Sequence, residues 1–194
     1  MRGYFAIGID NASKHGNMGN LIRTAHAFGA AFAFAVNPKV YAHNGEAVTK
    51  DFTDTSKSHQ AIPFFNYASA ADVEVPQGCK IIGIEITEDS IDLPSFKHPL
   101  QAVYVLGGER SSLSPEMLAR CDQTIKIPTK FCLNVATAGA IVMYDRHRVL
   151  GGYPDRPIVA GGTPVPKEPH VHGGVRNRHA AKRARKAAAA EENN

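Results

Sequence analysis

The sequence has no tryptophan, only three cysteines and no apolar run long enough to cross a membrane. The longest nearly apolar stretch, residues 25–36, is shorter than the roughly 20 residues that a transmembrane helix needs. No basic segment followed by an apolar run opens the chain, which argues against a secretion signal. Cys79, Cys121 and Cys132 are odd in number and have no metal-like spacing. We therefore expect free thiols in a reducing cytoplasm, with neither a disulfide framework nor a metal site.

The composition predicts one globular domain with a basic tail. The 194 residues are 43% hydrophobic and 21% charged, which argues against a disordered or collagen-like chain. Of the 22 Lys and Arg and the 18 Asp and Glu, seven and three respectively lie from Lys167 onward, so the net charge of +4 belongs to the tail. A basic tail on a neutral body favours an arm for an anionic polymer such as RNA, although many such tails serve only solubility.

Apolar runs and helical periodicities alternate along the body. A parallel sheet with helices on both faces is the architecture that such alternation predicts, so we expect an α/β fold. The predicted strands are 4–9, 31–36, 62–65, 80–87, 102–106 and 123–127, and the predicted helices are 18–28, 54–57, 69–73, 114–121 and 133–149.

The character of the sequence changes after Gly152. Five prolines among glycines in residues 153–174 predict an extended linker, and an Ala/Arg/Lys-rich stretch follows it. The expected organisation is therefore a catalytic or binding domain over residues 1–152 and a linker with a basic tail over residues 153–194.

Segment 17–23, NMGNLIR, begins a predicted helix and is the first candidate site. Asn17 can cap this helix, whose free amides favour an anion, and Arg23 can contact a phosphate bound there. A capped surface helix with a solvated arginine explains the same residues equally well.

Further candidates follow three predicted strands. Two glycines, Gly107 and Gly108, come directly after the strand 102–106 and allow close approach of a ligand to the backbone, although a tight turn followed by Ser114 as the cap of the next helix also explains this segment. Asn134 lies near a helix start, where it can also act simply as a cap. Glu85 lies near the end of the strand 80–87, where it can bind a ligand or, as is more common, face water. Ligands bind to open α/β sheets at this kind of strand end. The glycine spacing matches neither a dinucleotide fingerprint nor a P-loop.

Three motifs together carry a family resemblance: NxGNxxRxAxxFG from Asn17, LGGExSSLS from Leu106, and LNVAxAxAIxxY from Leu133. In this order they resemble the SpoU (TrmH-like) family of SPOUT RNA methyltransferases, over roughly residues 4–149. The resemblance implies an α/β domain with a deep C-terminal trefoil knot and a homodimeric assembly. It also implies methyl transfer from S-adenosylmethionine to a ribose 2′-hydroxyl of tRNA or rRNA.

The resemblance also implies roles for individual residues. Arg23 would act at the ribose hydroxyl, and because arginine stays protonated we expect it to clamp a phosphate and stabilise an alkoxide. Asn17 and Glu109 would help to position groups. The implied cofactor contacts are Glu85, Ile86, Gly107, Gly108, Ile127, Leu133 and Asn134. The expected RNA contacts are Arg23 and the tail residues Arg176, Arg178, Lys182, Arg183, Arg185 and Lys186.

Two other function classes fit parts of the sequence. A catalytically silent RNA- or ribosome-binding protein with the same fold is supported by the loop between Pro128 and Cys132, which is shorter than in the family. A nucleotide-dependent α/β enzyme such as a dehydrogenase is disfavoured by the missing glycine fingerprint.

Overall fold

The computed structural model describes residues 3–38 and 61–166, and within them the chain forms seven strands and three α-helices. The strands are β1 (Tyr4–Asp10), β2 (Phe32–Val36), β3 (Phe64–Tyr67), β4 (Lys80–Ile84), β5 (Ile91–Asp92), β6 (Gln101–Leu106) and β7 (Gln123–Lys126). The helices are α1 (His15–Ala27), α2 (Pro115–Arg120) and α3 (Val135–Leu150), with a short 3-10 helix at Leu93–Ser95.

All seven strands belong to one parallel sheet, in the order β3-β2-β1-β6-β4-β7-β5. The central strands β1 and β6 pair over six positions, from Tyr4 opposite Gln101 to Ile9 opposite Leu106. These strands are apolar on both faces, because a parallel sheet is covered by helices on both sides. The predicted parallel α/β architecture is confirmed.

The two faces of the sheet are covered by different helices. Alternate residues of β1, such as Ile7 and Ile9, face a core formed with α1 and α3. The opposite face packs against α2 through Met117. Helices α1 and α3 lie close together, since a Cβ placed on Gly139 would come within 2.4 Å of the Leu21 side chain. This packing fixes the starts of α1 and α3 relative to the sheet.

The structure corrects the sequence prediction between β2 and β4. The strand predicted at 62–65 lies at Phe64–Tyr67, because Pro63 has no N–H and only its carbonyl pairs, accepting from Ala33. The helix predicted over 69–73 is wrong: Asp72 accepts bonds from the N–H and hydroxyl of Ser69, which closes a tight turn. The helix predicted at 54–57 lies outside the described residues.

Strand β5 has only two residues and was not predicted. The chain divides into two units after Tyr153, and in the second unit residues 154–166 form no helix or strand. The functional roles expected for the two parts stay predictions, and so does the trefoil knot. The tail arginines and lysines lie outside the described residues. No helix in the described part of the chain is long and apolar enough to span a membrane.

Candidate functional site

The carboxyl ends of the central strands border a cleft of about 540 Å³. Its walls come from the loops after β4, β6 and β7, from the start of α1 and from the segment that leads into α3. The lining residues are Lys14, Asn17, Ile84, Glu85, Ile86, Leu106, Gly107, Gly108, Glu109, Arg110, Ser111, Ser112, Lys126, Ile127, Thr129, Cys132, Leu133, Asn134, Val135 and Ala138. We call this cavity the cleft.

The cleft brings together nearly all site residues that were named from the sequence and described by the structure. Its lining includes Asn17, Glu85, Ile86, Gly107, Gly108, Glu109, Ile127, Leu133 and Asn134. These residues come from four segments far apart in the chain: the start of α1 and the segments that follow β4, β6 and β7, whose carboxyl ends lie at one edge of the sheet. Their individual roles stay predictions.

Arg23 is the exception among the described site residues. It is exposed on α1 and does not line the cleft. Arg23 lies six positions after Asn17 in the helix. This spacing corresponds to a rise of about 9 Å along the helix axis and to a rotation that places the two residues on different sides of the helix. Among residues 3–38 and 61–166, Arg23 has no hydrogen-bond or ion-pair partner.

Asn17 does not cap α1, which corrects the sequence prediction. The helix begins three residues earlier than predicted, at His15, and the capping position is Lys14, whose side chain makes no capping bond. The Asn17 amide instead donates to Glu109 Oε1 at 2.8 Å and accepts from Asn134 Nδ2 at 2.9 Å. A long-range contact has therefore taken the place of a local one.

Asn134 combines the structural and the site role that the sequence left open. Its Oδ1 accepts from the N–H groups of Ala136 and Thr137, so the predicted cap of α3 is confirmed. Its Nδ2 donates to Asn17. The first and third sequence motifs are thus joined by a direct hydrogen bond at the cleft.

Glu109 is held on both carboxylate oxygens. Ser13 donates to Oε2 through its N–H at 2.9 Å and through its hydroxyl at 2.6 Å, while Asn17 binds Oε1. Burial by itself raises the pKa of Glu109, but the hydrogen bonds from Ser13 and Asn17 outweigh it and hold the pKa below its ordinary value. An ionised carboxylate whose pKa is held low is a weak base, so it is suited to holding neighbouring groups in place rather than to removing a proton.

The glycines after β6 allow a tight loop at the cleft wall. A Cβ on Gly108 would lie 2.3 Å from the carbonyl oxygen of Asn11, and one on Gly107 would lie 2.8 Å from the backbone nitrogen of Leu113. Neither position has room for a side chain. The backbone itself therefore forms this part of the wall.

Two carboxylates position the loop between β6 and α2. Glu85 accepts from the N–H of Leu113 at 2.8 Å and from its neighbour Ile86 at 2.9 Å. Asp10, which is 1% exposed, accepts from the N–H of Ser114 at 2.7 Å. Ser114 in turn caps α2 by accepting from Met117, as predicted.

Sequence reasoning missed Asp10, Ser13 and Lys14. The only signal for Asp10 was an acidic residue that ends an otherwise apolar strand, and for Ser13 there was none. Lys14 lines the cleft together with Arg110 and Lys126, so the cleft carries cationic groups beside its two carboxylates. The described residues contain no group of three His, Cys, Asp or Glu side chains placed to bind a metal ion.

A family model and individual known proteins both match most of this chain. The model of the SpoU rRNA Methylase family matches residues 4–144. A tRNA (guanosine(18)-2′-O)-methyltransferase of Thermus thermophilus is 30% identical over 160 residues, covering 77% of this chain and 78% of that protein. A mouse protein named tRNA (guanosine(18)-2′-O)-methyltransferase TARBP1 is 27% identical over 150 residues, covering 71% of this chain.

Solved structures share the fold. The crystal structure of an AdoMet-bound rRNA methyltransferase from Sinorhizobium meliloti superimposes with a TM-score of 0.64 at 23% identity, covering 77% of this chain and 58% of that one. The chain spans only 9% of the mouse protein, whereas it spans most of the Thermus protein.

Proposed function

The chain belongs to the SpoU rRNA Methylase family, and from this premise we propose that it is an RNA methyltransferase. The proposed reaction transfers a methyl group from S-adenosylmethionine to a ribose 2′-hydroxyl of tRNA or rRNA. The relatives that match over most of their length are named as enzymes of this kind.

The observation that carries the proposal is the cleft. Its volume of about 540 Å³ lies in the range of pockets that hold small ligands and cofactors. The residues that the family resemblance assigns to the cofactor, among them Gly107, Ile127 and Leu133, lie around this one cavity. Because a glycine backbone forms part of its wall, main-chain groups are near enough to hold an adenine by hydrogen bonds. The residues present thus fit the cofactor.

The residues of the cleft have mainly a positioning task. S-adenosylmethionine, when bound, supplies a methyl carbon that is already electrophilic, so the protein must align the ribose oxygen and assist loss of its proton. Glu109 is a poor acceptor for that proton, because the hydrogen bonds from Ser13 and Asn17 hold its pKa below the ordinary value and make it a weak base. The proton therefore leaves to an RNA phosphate or to water, and Glu109 orients Asn17 and Asn134.

Arg23 is assigned to the RNA rather than to the cofactor. It is exposed outside the cleft, on the helix whose first turn contributes Asn17 to the lining. A guanidinium in this place is suited to contact a phosphate of RNA laid across the cleft mouth. The alkoxide role that the sequence suggested requires the RNA or the chain to bring Arg23 closer to the reacting oxygen.

The remaining parts of the proposal concern the assembly. We expect the basic tail to add non-specific attraction to the RNA backbone. The family resemblance further implies a homodimer and a knotted C-terminal part, and the number and spacing of the three cysteines favour a cytoplasmic location.

The test is methyl transfer from tritiated S-adenosylmethionine to tRNA and to rRNA transcripts. A methylated 2′-oxygen blocks alkaline cleavage of the next phosphodiester, so we expect the label in alkali-resistant dinucleotides. Arg23→Ala should lower transfer at limiting RNA concentration, while Arg148→Ala, an exposed arginine on α3, should not.

Three outcomes decide between the alternatives. Label in alkali-labile nucleotides would mean that a base is methylated. RNA binding without any transfer would contradict the proposal and favour the catalytically silent RNA-binding protein. Unchanged transfer in Arg23→Ala at every RNA concentration would remove Arg23 from the site.

A further inference from the structure

Ser13 is a cleft-side residue that no sequence motif pointed to. It lies between β1 and α1, is half-buried, and binds the same carboxylate oxygen of Glu109 twice. The hydroxyl contact, at 2.6 Å, is the shortest of the three hydrogen bonds that Glu109 receives. Such short bonds to a carboxylate are the strong, charge-assisted kind.

The ionised Glu109 sets the direction of a chain of hydrogen bonds. An ionised carboxylate only accepts, so the NH₂ group of Asn17 must point toward it and the carbonyl oxygen of Asn17 must point away. That oxygen then accepts from the NH₂ group of Asn134, and the oxygen of Asn134 is left to cap α3. The side-chain amides of Asn17 and Asn134 each have a single orientation in which all of these hydrogen bonds form.

We propose that Ser13 is a positioning residue of the methyl-transfer site: its hydroxyl keeps Glu109 in the acceptor-only state and thereby fixes the orientation of Asn17 and Asn134. The catalytic consequence rests on the proposed function, whereas the effect on Glu109 does not. Ser13 touches neither substrate nor cofactor in this scheme and acts only through Glu109.

Protonation of Glu109 disturbs this series of hydrogen bonds where it begins, at the carboxylate. A protonated carboxyl carries one donor: on Oε1 it would face the NH₂ group of Asn17, and on Oε2 it would face the N–H of Ser13, whose hydroxyl would have to turn and accept instead of donating. Burial raises the pKa of Glu109, and the hydrogen bonds lower it. Removing the Ser13 hydroxyl removes one of these bonds, so we expect the pKa to rise and the series of hydrogen bonds to be disturbed at a higher pH than in the wild type. The other charged groups around the cleft are Lys14 from the start of α1, Arg110 from the same loop, Glu85 after β4 and Lys126 at the end of β7.

The experiment compares Ser13→Ala with Ser13→Thr, which keeps the hydroxyl, and with Ser95→Ala, an exposed serine of the 3-10 helix. In protein labelled with ¹³C at glutamate carboxyls, the Glu109 resonance is assigned from Glu109→Gln and followed against pH. We expect it to titrate at higher pH in Ser13→Ala and at the wild-type pH in the other two variants.

Methyl transfer against pH is the second measurement. Losing one charge-assisted hydrogen bond corresponds to about tenfold in an equilibrium. Ser13→Ala should therefore be up to about tenfold slower than the wild type on the acidic limb and within about twofold at pH 8, where Glu109 is ionised in both. A purely structural defect would lower the rate equally at both pH values.

The outcomes separate this inference from the proposed function. If Glu109 titrates at the same pH in Ser13→Ala and the wild type, the inference is wrong. If the wild type transfers no methyl group, the proposed function fails, while the carboxyl titration still decides the role of Ser13. Should Ser13→Ala fail to fold, Ser13→Cys, whose thiol is a weak donor, must show an intermediate titration.

Discussion

Two polar clusters lie at opposite ends of the same sheet and differ in what surrounds them. The cleft cluster, Ser13, Asn17, Glu109 and Asn134, lies at the carboxyl ends of the strands beside an open cavity. The second group, which we call the amino-edge cluster, lies near the starts of β1 and β6 and consists of His98, Tyr104, Asp145 and Arg146. Helix α3 contributes to both, through its cap at one end and its last turns at the other.

The amino-edge cluster is closed. Arg146 is 0% exposed and donates to the carbonyl oxygens of Tyr4, Pro99 and Leu100 and to the hydroxyl of Tyr104. His98 contacts the Tyr104 hydroxyl at 2.6 Å through Nδ1 and Asp145 at 3.0 Å through Nε2. These side chains bind one another and the backbone, and His98, Tyr104 and Arg146 are almost fully buried.

The two clusters show that polar side chains inside a protein can serve either stability or ligand binding. Both clusters order their groups through directed hydrogen bonds, but the cleft cluster borders a cavity, whereas His98, Tyr104 and Arg146 of the amino-edge cluster are buried. We infer that the amino-edge cluster contributes to stability by fastening the end of α3 to the sheet, whereas the cleft cluster contributes to binding and catalysis.

Arg146→Ala should have the largest effect on stability. It removes a buried cation and leaves the carbonyl oxygens that it binds without that donor, which costs about 3–5 kcal/mol of the free energy of unfolding. Guanidinium denaturation measures the loss. Arg148→Ala, two residues further along α3 and exposed, should change the same quantity by less than about 1 kcal/mol. Equal values for the two variants would end the distinction between the clusters.

Glu109→Gln should break the cleft cluster without unfolding the protein. The amide keeps the shape of the carboxyl but presents a donor on one side, so Asn17 and Asn134 lose their fixed orientation. We expect methyl transfer to fall by about 10- to 100-fold, since small misplacements of reacting groups cost this much. Denaturation midpoints should change little. Glu88→Gln, on an exposed residue outside the cleft, is the matched control, and similar losses in both variants would contradict the account.

The smallest expected effect is a pH dependence that belongs to the amino-edge cluster. Burial lowers the pKa of His98, and its contact with Asp145 opposes this only in part. An unfolded histidine takes up a proton near its ordinary pKa of about 6.5, whereas the folded one resists it. The free energy of unfolding should therefore fall as the pH drops below about 6.5.

Urea denaturation at pH 7.5 and 5.5 measures this dependence. His98→Gln, which has no titratable group, should show a smaller difference between the two pH values than the wild type. The charged groups nearest to His98 are Asp145, Arg146 and Arg148, and they are present in both proteins. An identical pH difference in the variant would exclude His98 as the source.

Structural features that depend on residues close together in the sequence were predicted correctly, whereas features that depend on distant residues were not. Strands such as β6 were found because consecutive apolar residues are enough to mark a strand buried on both faces. The caps Ser114 and Asn134 were found because a helix start needs an acceptor at a fixed spacing. Asn17 looked like the same local signal, but Glu109, 92 residues away, determines its contacts.

The residues of the candidate site show the same difference between local and long-range causes. The motifs identified residues that line the cleft, because strand ends and glycines mark such places in a sequence. They could not identify Ser13 or Asp10, whose importance comes from contacts with Glu109 and Ser114 about a hundred residues away. They placed Arg23 near Asn17, whereas the rotation of the helix turns it to another side.

The most direct test of the central claim is a titration of ¹⁵N-labelled protein with S-adenosylmethionine, followed through backbone amide resonances. The account predicts saturable shifts that centre on Gly107, Ile127 and Leu133, with the residues of the amino-edge cluster little changed. Absence of any shift, or shifts confined to positions away from the cleft, would contradict it.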